Sequence, residues 1–469
     1  MASYSQPHSD KLIRLLCLIL LFSVMNVTMF NIALPDISRA FGLLPSEAGW
    51  VITGYSIIYA VGSLTYGKLA DRYPLRRLLT IGLLLFAAGS LLGFLAPNFA
   101  TVLAARFVQS AGASSIPALA MIVPVRLFAP EGRGRVLGIL ASAIAFASGV
   151  GPIVGGFVSG WLDWRYLFLI SIGSLATLPH LRKWLPDETT RSGTFDLLGA
   201  LLLGGSVTLC MLGITQWSGW LALTGALLLA LFVLRIVRTA EPFVQPAVFR
   251  SGGFRGGLFS SFLAYAVSFT VTFVTPMLLS AANGLGTSAI GFLMFPAAMS
   301  AAVFGRYGGK LADRRGSLFI IVAALILLAA GQLTLSLFSG GAAGYIAACL
   351  VLGNVGAAFY QAAMTKLVAS TLPAGQTGVG LGILTLGNFL SCAIAGAVVS
   401  KIVDGAASGS ASPAFGVFGH SGAAAVFGNV YFALAALCAL NLVFVWAAFG
   451  RRRKAARPAA APGADTQRA

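Results

Sequence analysis

Apolar runs alternate with short polar stretches along almost the whole chain. Most of the runs are close to the roughly 20 residues that a helix needs to cross the apolar core of a bilayer. The pattern predicts fourteen membrane-spanning helices, whose ends we place to within a few residues. They lie near 12–34, 49–70, 78–95, 99–125, 136–160, 165–181, 197–215, 217–237, 254–280, 288–311, 317–338, 344–365, 378–400 and 424–449. The fold class is therefore that of an all-α polytopic membrane protein.

Two polar linkers divide the predicted helices into groups. The first, 182–196, follows the sixth helix, and the second, 238–250, follows the eighth. The spacing predicts a six-helix N-terminal half over 1–181, a linker with two extra membrane helices over 182–250, a six-helix C-terminal half over 251–450 and a basic cytoplasmic tail over 451–469.

A charged turn occurs twice in the chain. The residues GKLADR begin at Gly67 and again at Gly309, 242 positions later, each time at the end of an apolar helix. A plain basic loop would explain either copy alone, but two copies in register indicate that the halves are parallel copies of one unit. The separation leaves room for two helices inserted between the halves. The candidates for a conformational hinge are Gly67, Asp71 and Arg72 in the first copy and Gly309, Asp313 and Arg314 in the second.

Basic residues are distributed unevenly between the two sides of the predicted bundle. With the N-terminus in the cytoplasm, Arg39, Arg165 and Lys401 fall on the outer side and Arg106 falls within a helix, which leaves the other 27 of the 31 Lys and Arg residues inside. Positively charged loops remain in the cytoplasm, so we predict a multi-pass protein of the cytoplasmic membrane with both termini inside. The net charge of +18 then reflects topology and contact with anionic lipid, and we expect no nucleic-acid partner.

Metal, disulfide and nucleotide chemistry are not indicated. All five cysteines lie within apolar runs, and His8, His180 and His420 are too far apart in the predicted topology for a metal site. No glycine-rich loop of the ATP-binding kind is present. The first apolar run is too long for a cleavable signal and should remain as a helix. We therefore expect no metal and no cofactor, with the proton as a possible coupling ion.

Four kinds of segment, in order along the chain, resemble the major facilitator superfamily in its 14-helix drug:proton antiporter branch. They are NIALPDI at 31–37, the two GKLADR hinges, RFVQSAGA at 106–113 and GVGPIVGG at 149–156. The likeness is greatest to the tetracycline efflux proteins of Gram-positive bacteria, whose linker the residues Glu241-Pro242-Phe243 also resemble. The resemblance covers nearly the whole chain.

The resemblance implies both a fold and a function. The fold is two six-helix halves with two inserted linker helices, and the function is export of a small amphipathic, tetracycline-like compound in exchange for protons. In that family the segment that contains Gly151, Pro152, Gly155 and Gly156 is associated with export, and the arginine that matches Arg106 with proton coupling. Glycine and proline at these positions would also loosen the helix and allow close packing.

The chain departs from this family at its membrane carboxylates. The branch usually has Asp where this chain has Asn26, and the tetracycline group has Glu at positions that match Val27, Ser148 and Cys392. All 13 acidic residues fall in loops, tails or helix ends, with Asp36 the nearest to the membrane interior. Proton exchange usually needs a buried carboxylate, so a proton route would have to use Asp36 or one of the hinge carboxylates.

Arg106 is the basic residue that we expect inside the membrane. Its guanidinium stays protonated, so it needs a watery cavity or hydrogen-bond partners. Neutral oxygens expected at a similar depth belong to Asn26, Thr28, Asn31 and Gln109. Such partners leave the charge in place, and we therefore expect a substrate that is neutral, zwitterionic or anionic. The alternative is a structural arginine that reaches toward Asp36 or lipid.

Other functions fit the sequence less well than proton-coupled export. The missing carboxylates favour a proton-independent facilitator or an importer as the second interpretation. A membrane enzyme would need a cluster of carboxylates or histidines at one membrane face, and a sensor would normally carry a soluble domain; we find neither in the sequence. The sequence leaves the substrate and the oligomeric state open.

Overall fold

The structure, a computed structural model, is built of helices. It describes residues 6–70, 72–128, 130–186, 196–216, 218–239, 242, 246–372, 377–407 and 418–450. In these residues the α-helices are α1 Gln6–Phe41, α2 Pro45–Ala48, α3 Trp50–Ala70, α4 Leu75–Phe94, α5 Phe99–Ala113, α6 Ser115–Leu127, α7 Pro130–Trp161, α8 Tyr166–Ile172, α9 Leu178–Trp184, α10 Leu197–Thr215, α11 Gly219–Arg238, α12 Gly252–Ala281, α13 Thr287–Arg315, α14 Ser317–Phe338, α15 Ala343–Ser370, α16 Thr377–Ala407 and α17 Gly422–Val445.

Twelve helical segments of the described residues are long and apolar enough to cross a membrane. They are α1, α2 with α3, α4, α5 with α6, α7, and each of α11 to α17. The protein is therefore a multi-pass membrane protein, as predicted. The other two predicted spans differ from a single long apolar helix, and the count of fourteen stays a prediction.

The span predicted near 165–181 is divided into three short pieces. They are α8, the 3₁₀ turn Gly173–Thr177 and α9. Pro179 lies in the first turn of α9, where proline is tolerated because the first amides of a helix lack an internal partner. The span predicted near 197–215 is α10, whose apolar part, Leu197–Cys210, is shorter than the other spans.

The helices pack as two groups. In the first group α1 packs against α7, and α5 packs against α3 and α4; in the second, α15 packs against α13 and α14, and α12 against α16 and α17. The groups meet where α7 contacts α13, α3 contacts α16 and α1 contacts α12. The helices α10 and α11 pack against each other, and α10 also contacts α3 and α16. A 2.7 Å salt bridge between Asp196 and Arg235 ties the start of α10 to the end of α11.

The two hinge copies turn into their next helices with different backbones. Pro74 precedes α4 with φ −57°, whereas Gly316, at the matching position of the second copy, precedes α14 with φ +89°. Proline fixes φ near −65°, and a φ of +89° is one that glycine adopts without strain. The repeated sequence thus ends in two different turns.

Several helices are longer than predicted, and in two of them the extension carries a carboxylate that contacts the other helix group. The helix α1 ends at Phe41, not near 34, so Asp36 lies within it, and α16 continues to Ala407, not near 400, so Asp404 lies within it. Both side chains accept hydrogen bonds from the other helix group, which provides polar partners where the hydropathy pattern had indicated a loop.

Candidate functional site

Arg106 lies inside the first helix group, where 1% of the residue is exposed. Its Nη1 donates to Asn26 Oδ1 at 2.7 Å and to Gln109 Oε1 at 2.5 Å. Its Nε donates to the Val51 carbonyl oxygen at 3.1 Å. These three acceptors are neutral, and Arg106 forms no ion pair with a carboxylate among the described residues. The positive charge is therefore hydrogen-bonded but not neutralised.

Aromatic rings cover the guanidinium of Arg106. The centroids of the Phe30 and Tyr55 rings lie 4.1 and 4.0 Å from its Cζ atom. Contacts of this kind stabilise a cation because the ring faces are electron-rich. Phe30 lies on α1, Tyr55 on α3 and Arg106 on α5. The contacts between these three helices therefore keep the charge away from lipid.

A second layer of hydrogen bonds orients the two amides beside Arg106. Asn26 Nδ2 donates to Ser171 Oγ at 2.7 Å, and Gln109 Nε2 donates to Ser90 Oγ at 2.8 Å. Because each amide nitrogen is engaged in this way, each amide oxygen points toward the guanidinium. The arrangement is a fully packed polar network inside a membrane bundle, which is costly to leave partly satisfied.

Two of the expected neighbours of Arg106 lie elsewhere. Asn31 is buried, but its Oδ1 has no hydrogen-bond partner among the described residues. The hydroxyl of Thr28 donates to the Met25 carbonyl oxygen of its own helix. Equal depth along α1 suggested both contacts, but depth does not determine which side of the helix a residue occupies. Arg106 also does not reach Asp36, which contacts Arg39, Ser159 and Thr287 instead.

Asp36 joins the two helix groups. Its Oδ1 accepts from Arg39 Nη2 at 2.6 Å, and its Oδ2 accepts from Ser159 Oγ at 2.6 Å and from Thr287 Oγ1. Ser159 belongs to α7 and Thr287 begins α13, so one carboxylate connects three helices from both groups. We call the end of the bundle that carries Asp36 the far end. The opposite end, which carries the two GKLADR copies, is called the hinge end.

Asp404 is a far-end carboxylate that the sequence did not single out. Its Oδ1 accepts from the backbone N–H of Ser46 at 3.0 Å, and its Oδ2 is buried without a hydrogen-bond partner among the described residues. Asp404 belongs to α16 and Ser46 to α2, so this contact also crosses between the groups. The apolar residues Val399 and Val403, four positions apart and both buried, were the signal that α16 continues this far.

The glycines of the 149–156 segment allow three helices to meet closely. A Cβ added at Gly151 would lie 1.7 Å from Thr28 Oγ1, and one added at Gly155 would lie 2.7 Å from the Met29 carbonyl oxygen, both on α1. A Cβ at Gly156 would lie 2.8 Å from the Thr287 carbonyl oxygen on α13. The carbonyl oxygen of Pro152 lies 2.5 Å from the position of a Cβ at Gly291, also on α13.

The first glycine of each GKLADR copy, at the hinge end, is not packed in this way. No atom of the described residues lies within 4 Å of a Cβ added at Gly67 or Gly309. Arg314 is exposed, and Arg72 has its guanidinium 5.5 Å from the ring of the adjacent Tyr73. Asp71 and the side chain of Asp313 lie outside the described residues. In this conformation a methyl group added at either glycine would therefore not touch the opposite helix group among the described residues. The role of the hinge residues in the conformational change stays a prediction.

Comparison with known proteins finds a matching family and similar proteins for this chain. The family model of the Major Facilitator Superfamily matches residues 16–396. The chain is 25% identical over 397 residues to the riboflavin transporter RibZ of Clostridioides difficile (strain 630), which covers 82% of this chain and 86% of that protein. It is 26% identical over 392 residues to the multidrug resistance protein Stp of Mycobacterium tuberculosis (strain CDC 1551 / Oshkosh), which covers 81% of this chain and 73% of that protein.

Solved structures share the fold. A bacterial homolog of the human lysosomal transporter Spinster, inward-facing and unoccupied, matches with a TM-score of 0.67 at 16% identity, over 97% of this chain and 100% of that chain. A D-xylose-proton symporter matches with a TM-score of 0.68 at 15% identity, over 94% of this chain and 97% of that chain. The match to the family over residues 16–396, on a bundle of two helix groups, shows that the chain belongs to the Major Facilitator Superfamily of membrane transporters.

Proposed function

We propose that this chain is a secondary active transporter that exports a small amphipathic compound across the cytoplasmic membrane in exchange for protons. The observation that carries the proposal is the buried, positively charged Arg106 with neutral partners. The names of two relatives, a riboflavin transporter and a multidrug resistance protein, agree with a small-molecule substrate. The resemblance to tetracycline exporters adds an antibiotic-like compound as the expected type of cargo.

The charge of Arg106 limits what the substrate can be. A ligand with one unit charge, about 10 Å from the guanidinium in a medium of effective dielectric constant about 20, has an electrostatic interaction energy with Arg106 of about 1.7 kcal/mol. That energy changes the affinity of a singly charged ligand by roughly 10- to 20-fold. A neutral or anionic amphipath is therefore preferred over a lone cation, and a metal-chelated tetracycline with net positive charge is a poor fit.

A proton-independent facilitator or importer is the second candidate function. In the described residues, acidic side chains of the spanning helices lie near helix ends, as Asp36 and Asp404 do. A carboxylate in the middle of the membrane is the usual proton carrier, and the positions that carry Glu in the tetracycline group hold Val27, Ser148 and Cys392 here.

The proposal includes a topology and a movement. We propose fourteen spans, with the segment α8 to α9 and the helix α10 completing the set, both termini in the cytoplasm and the hinge end on the cytoplasmic side. The halves 1–181 and 251–450 would rock about the contacts of α7 with α13 and α3 with α16, with 182–250 as an inserted pair of helices. The excess of basic residues in the loops of the hinge end supports this orientation.

Transport in inverted membrane vesicles tests the function. An acid-inside pH gradient is imposed and followed with a pH-sensitive dye, and riboflavin, tetracycline with Mg²⁺, salicylate and ethidium are added in turn. We expect a neutral or anionic compound to collapse the gradient while entering the vesicles, and ethidium to do so weakly. Uptake of labelled compound without proton movement would instead establish the facilitator.

Variants of Arg106 test the charge argument. Arg106→Lys keeps the charge, whereas Arg106→Gln removes it, so we expect only the Gln variant to gain roughly 10-fold in ethidium transport relative to riboflavin. Arg39→Gln, which removes an exposed charge at the far end, is the matched control and should leave the ratio unchanged. Strong ethidium export by the wild type, unaltered in Arg106→Gln, would contradict the proposal.

A further inference from the structure

Exposed basic side chains from three helices lie at the hinge end of the first helix group. They are Arg14 on α1, Arg77 on α4, and Arg182 and Lys183 in the last turn of α9. The helix α9 contacts both α1 and α4. The buried neighbours of these residues in the sequence also belong to one apolar cluster, which includes Leu15, Leu78 and Leu181. The three helices thus bring four positive charges to one surface, which we call the basic cluster.

The charges of the basic cluster are not neutralised within the described part of the chain. None of the four side chains forms an ion pair there, and the Nε atom of Arg14 donates to the backbone oxygen of Asp10 at 3.3 Å. The helices α4 and α9 contain no acidic residue, and Asp187 and Glu188, which follow α9 in the sequence, lie outside the described residues. The described surface therefore carries an excess of positive charge, which attracts an anionic partner.

Exposed apolar stripes continue from the basic cluster into the membrane. Basic residues are common at the ends of membrane helices, so the charge alone does not define a site. On α4, however, Ile81 and Leu84 are 42% and 49% exposed, and their spacing from Arg77 places all three on one face of the helix. On α1, Leu18 follows Arg14 by one turn and is 42% exposed. Each stripe thus joins a positive charge to a hydrocarbon surface, which is the complement of an anionic lipid.

Small side chains lie at the surface between the two stripes. The segment from α8 to α9 contacts both α1 and α4. It is broken by the 3₁₀ turn Gly173–Thr177, in which Gly173 and Ala176 are exposed. In the second helix group, the helix that contacts both α12 and α14 is α17, which is unbroken and exposes Phe432 and Leu440. The small residues of the broken segment leave room for an acyl chain that the bulky face of α17 does not offer.

We propose that the basic cluster binds the phosphate headgroup of one anionic phospholipid, whose acyl chains lie along α4 and the segment from α8 to α9. Arginine donates paired hydrogen bonds to phosphate oxygens, and lysine adds a compact charge. Basic pockets between membrane helices bind such headgroups. A soluble anion would leave Ile81 and Leu84 without a partner, and a zwitterionic lipid would leave the positive charge in excess. The bound lipid connects α4 to α9, and this inference is independent of the compound that the protein transports.

Binding of phosphatidylglycerol to the full chain tests the site. The protein is kept in mixed micelles with phosphatidylcholine, phosphatidylglycerol is titrated, and native mass spectrometry counts the lipids bound to each molecule. We expect one phosphatidylglycerol to bind more tightly than phosphatidylcholine. Arg77→Gln should raise its dissociation constant about 5-fold, and Arg182→Gln with Lys183→Gln about 25-fold, since each basic residue contributes about 5-fold to the attraction. The matched control is Arg250→Gln with Arg255→Gln, which removes two exposed charges at the hinge end of the second helix group and should change the constant less than about 2-fold.

Two further comparisons separate a lipid site from general attraction of anions. Ala176→Trp places a large ring where the acyl chain lies and leaves the four charges in place, so it should weaken phosphatidylglycerol binding as Arg77→Gln does. Glycerol 1-phosphate has the phosphate without the chains and should not displace the lipid at millimolar concentration. Equal loss in the Arg250 and Arg255 control, displacement by glycerol 1-phosphate, full binding in Ala176→Trp, or several equivalent phosphatidylglycerol molecules without a tight one would each overturn the site.

Discussion

The two ends of the bundle hold the halves together to very different degrees. At the far end, Asp36 and Asp404 each accept hydrogen bonds from the opposite half, and Gly156 brings α7 against the backbone of α13. At the hinge end, Gly67 and Gly309 have no neighbour from the described part of the chain within 4 Å of an added Cβ. The structure is thus closed at one end and uncovered at the hinge glycines of the other, which is the asymmetry that an alternating-access cycle reverses.

The comparison shows which contacts stabilise the present conformation of the bundle. Polar contacts and close backbone packing at the far end stabilise the present state, and they must be lost when that end opens. The hinge glycines add nothing to the present state, so any contribution from them arises only after the halves have moved. Substitutions at the two ends should therefore act on opposite states, and the following variants test that expectation.

Gly156→Ala should have the largest effect on far-end closure. Its Cβ would lie 2.8 Å from the Thr287 carbonyl oxygen and 2.9 Å from Gly291 Cα, and backbone atoms cannot rotate away. Overpacking of this kind costs about 1–3 kcal/mol, which shifts the ratio of closed to open far end by roughly 5- to 150-fold. Spin labels at Leu44→Cys and Phe418→Cys, both exposed at the far end, in a background without native cysteines, would report a longer distance.

Gly149→Ala is the matched control for Gly156→Ala. Gly149 also lies on α7 and also faces α13, but its added Cβ would lie 3.4 Å from the mobile Cε of Met299 and 3.6 Å from the Ala298 carbonyl oxygen. The gain in helix propensity is the same for both variants. If both shift the spin-label distance equally, close packing at Gly156 does not hold the far end closed.

The sequence predicted the fold better than it predicted these contacts. Hydropathy alone located the twelve apolar spans, because membrane helices must be both long and apolar. The pairing of Arg106 with Gln109 followed from a spacing of three residues on one helix. The rotation of α1, which decides that Asn26 and not Asn31 faces Arg106, is set by packing between helices. The contact between Asp404 and Ser46 was missed for the same reason, since the pairing of residues on two different helices leaves no spacing pattern.

Asp36→Asn should open the far end less than Gly156→Ala does. An asparagine keeps one oxygen acceptor but loses the charge and presents an amide to Ser159 or Thr287. Hydrogen bonds to a charged group contribute about 1.5–3 kcal/mol and neutral ones about 0.5–1.5, so we expect a loss of about 1–2 kcal/mol. The same pair of spin labels would measure it.

The control for Asp36→Asn is Asp163→Asn. Asp163 pairs with Arg165 in a partly exposed contact within one half, where ion pairs contribute little. Its removal should leave the spin-label distances as in the wild type. An unchanged spin-label distance in Asp36→Asn would mean that the hydrogen bonds of Asp36 with Arg39, Ser159 and Thr287 do not keep the two halves together at the far end.

Asp404→Asn should have a smaller effect than Asp36→Asn. The asparagine oxygen can still accept from the Ser46 N–H, and the loss is limited to the charge on that one bond. The substitution also removes the cost of burying a charged oxygen that has no partner among the described residues. We expect a change within about 1 kcal/mol in thermal unfolding, whereas Asp404→Ala, which removes the acceptor, should loosen the contact. A larger effect of Asn than of Ala would contradict this account.

Gly67→Ala and Gly309→Ala should change stability least and separate the two ends most clearly. Alanine has room in the present state, and it favours the helix by about 1 kcal/mol relative to glycine, so the variants should melt at a slightly higher temperature. Transport should nevertheless slow, because the halves must approach at the hinge end when the far end opens, and the added methyl groups then occupy the space that glycine leaves. Gly344→Ala is the control. Gly344 lies in the first turn of α15, at the far end of the bundle, and has no neighbour from the described residues within 4 Å of an added Cβ. This variant should gain the same stability without loss of transport. Equal transport by all three variants would show that the hinge glycines are never closely packed in the cycle, and that closure of the hinge end depends on other residues.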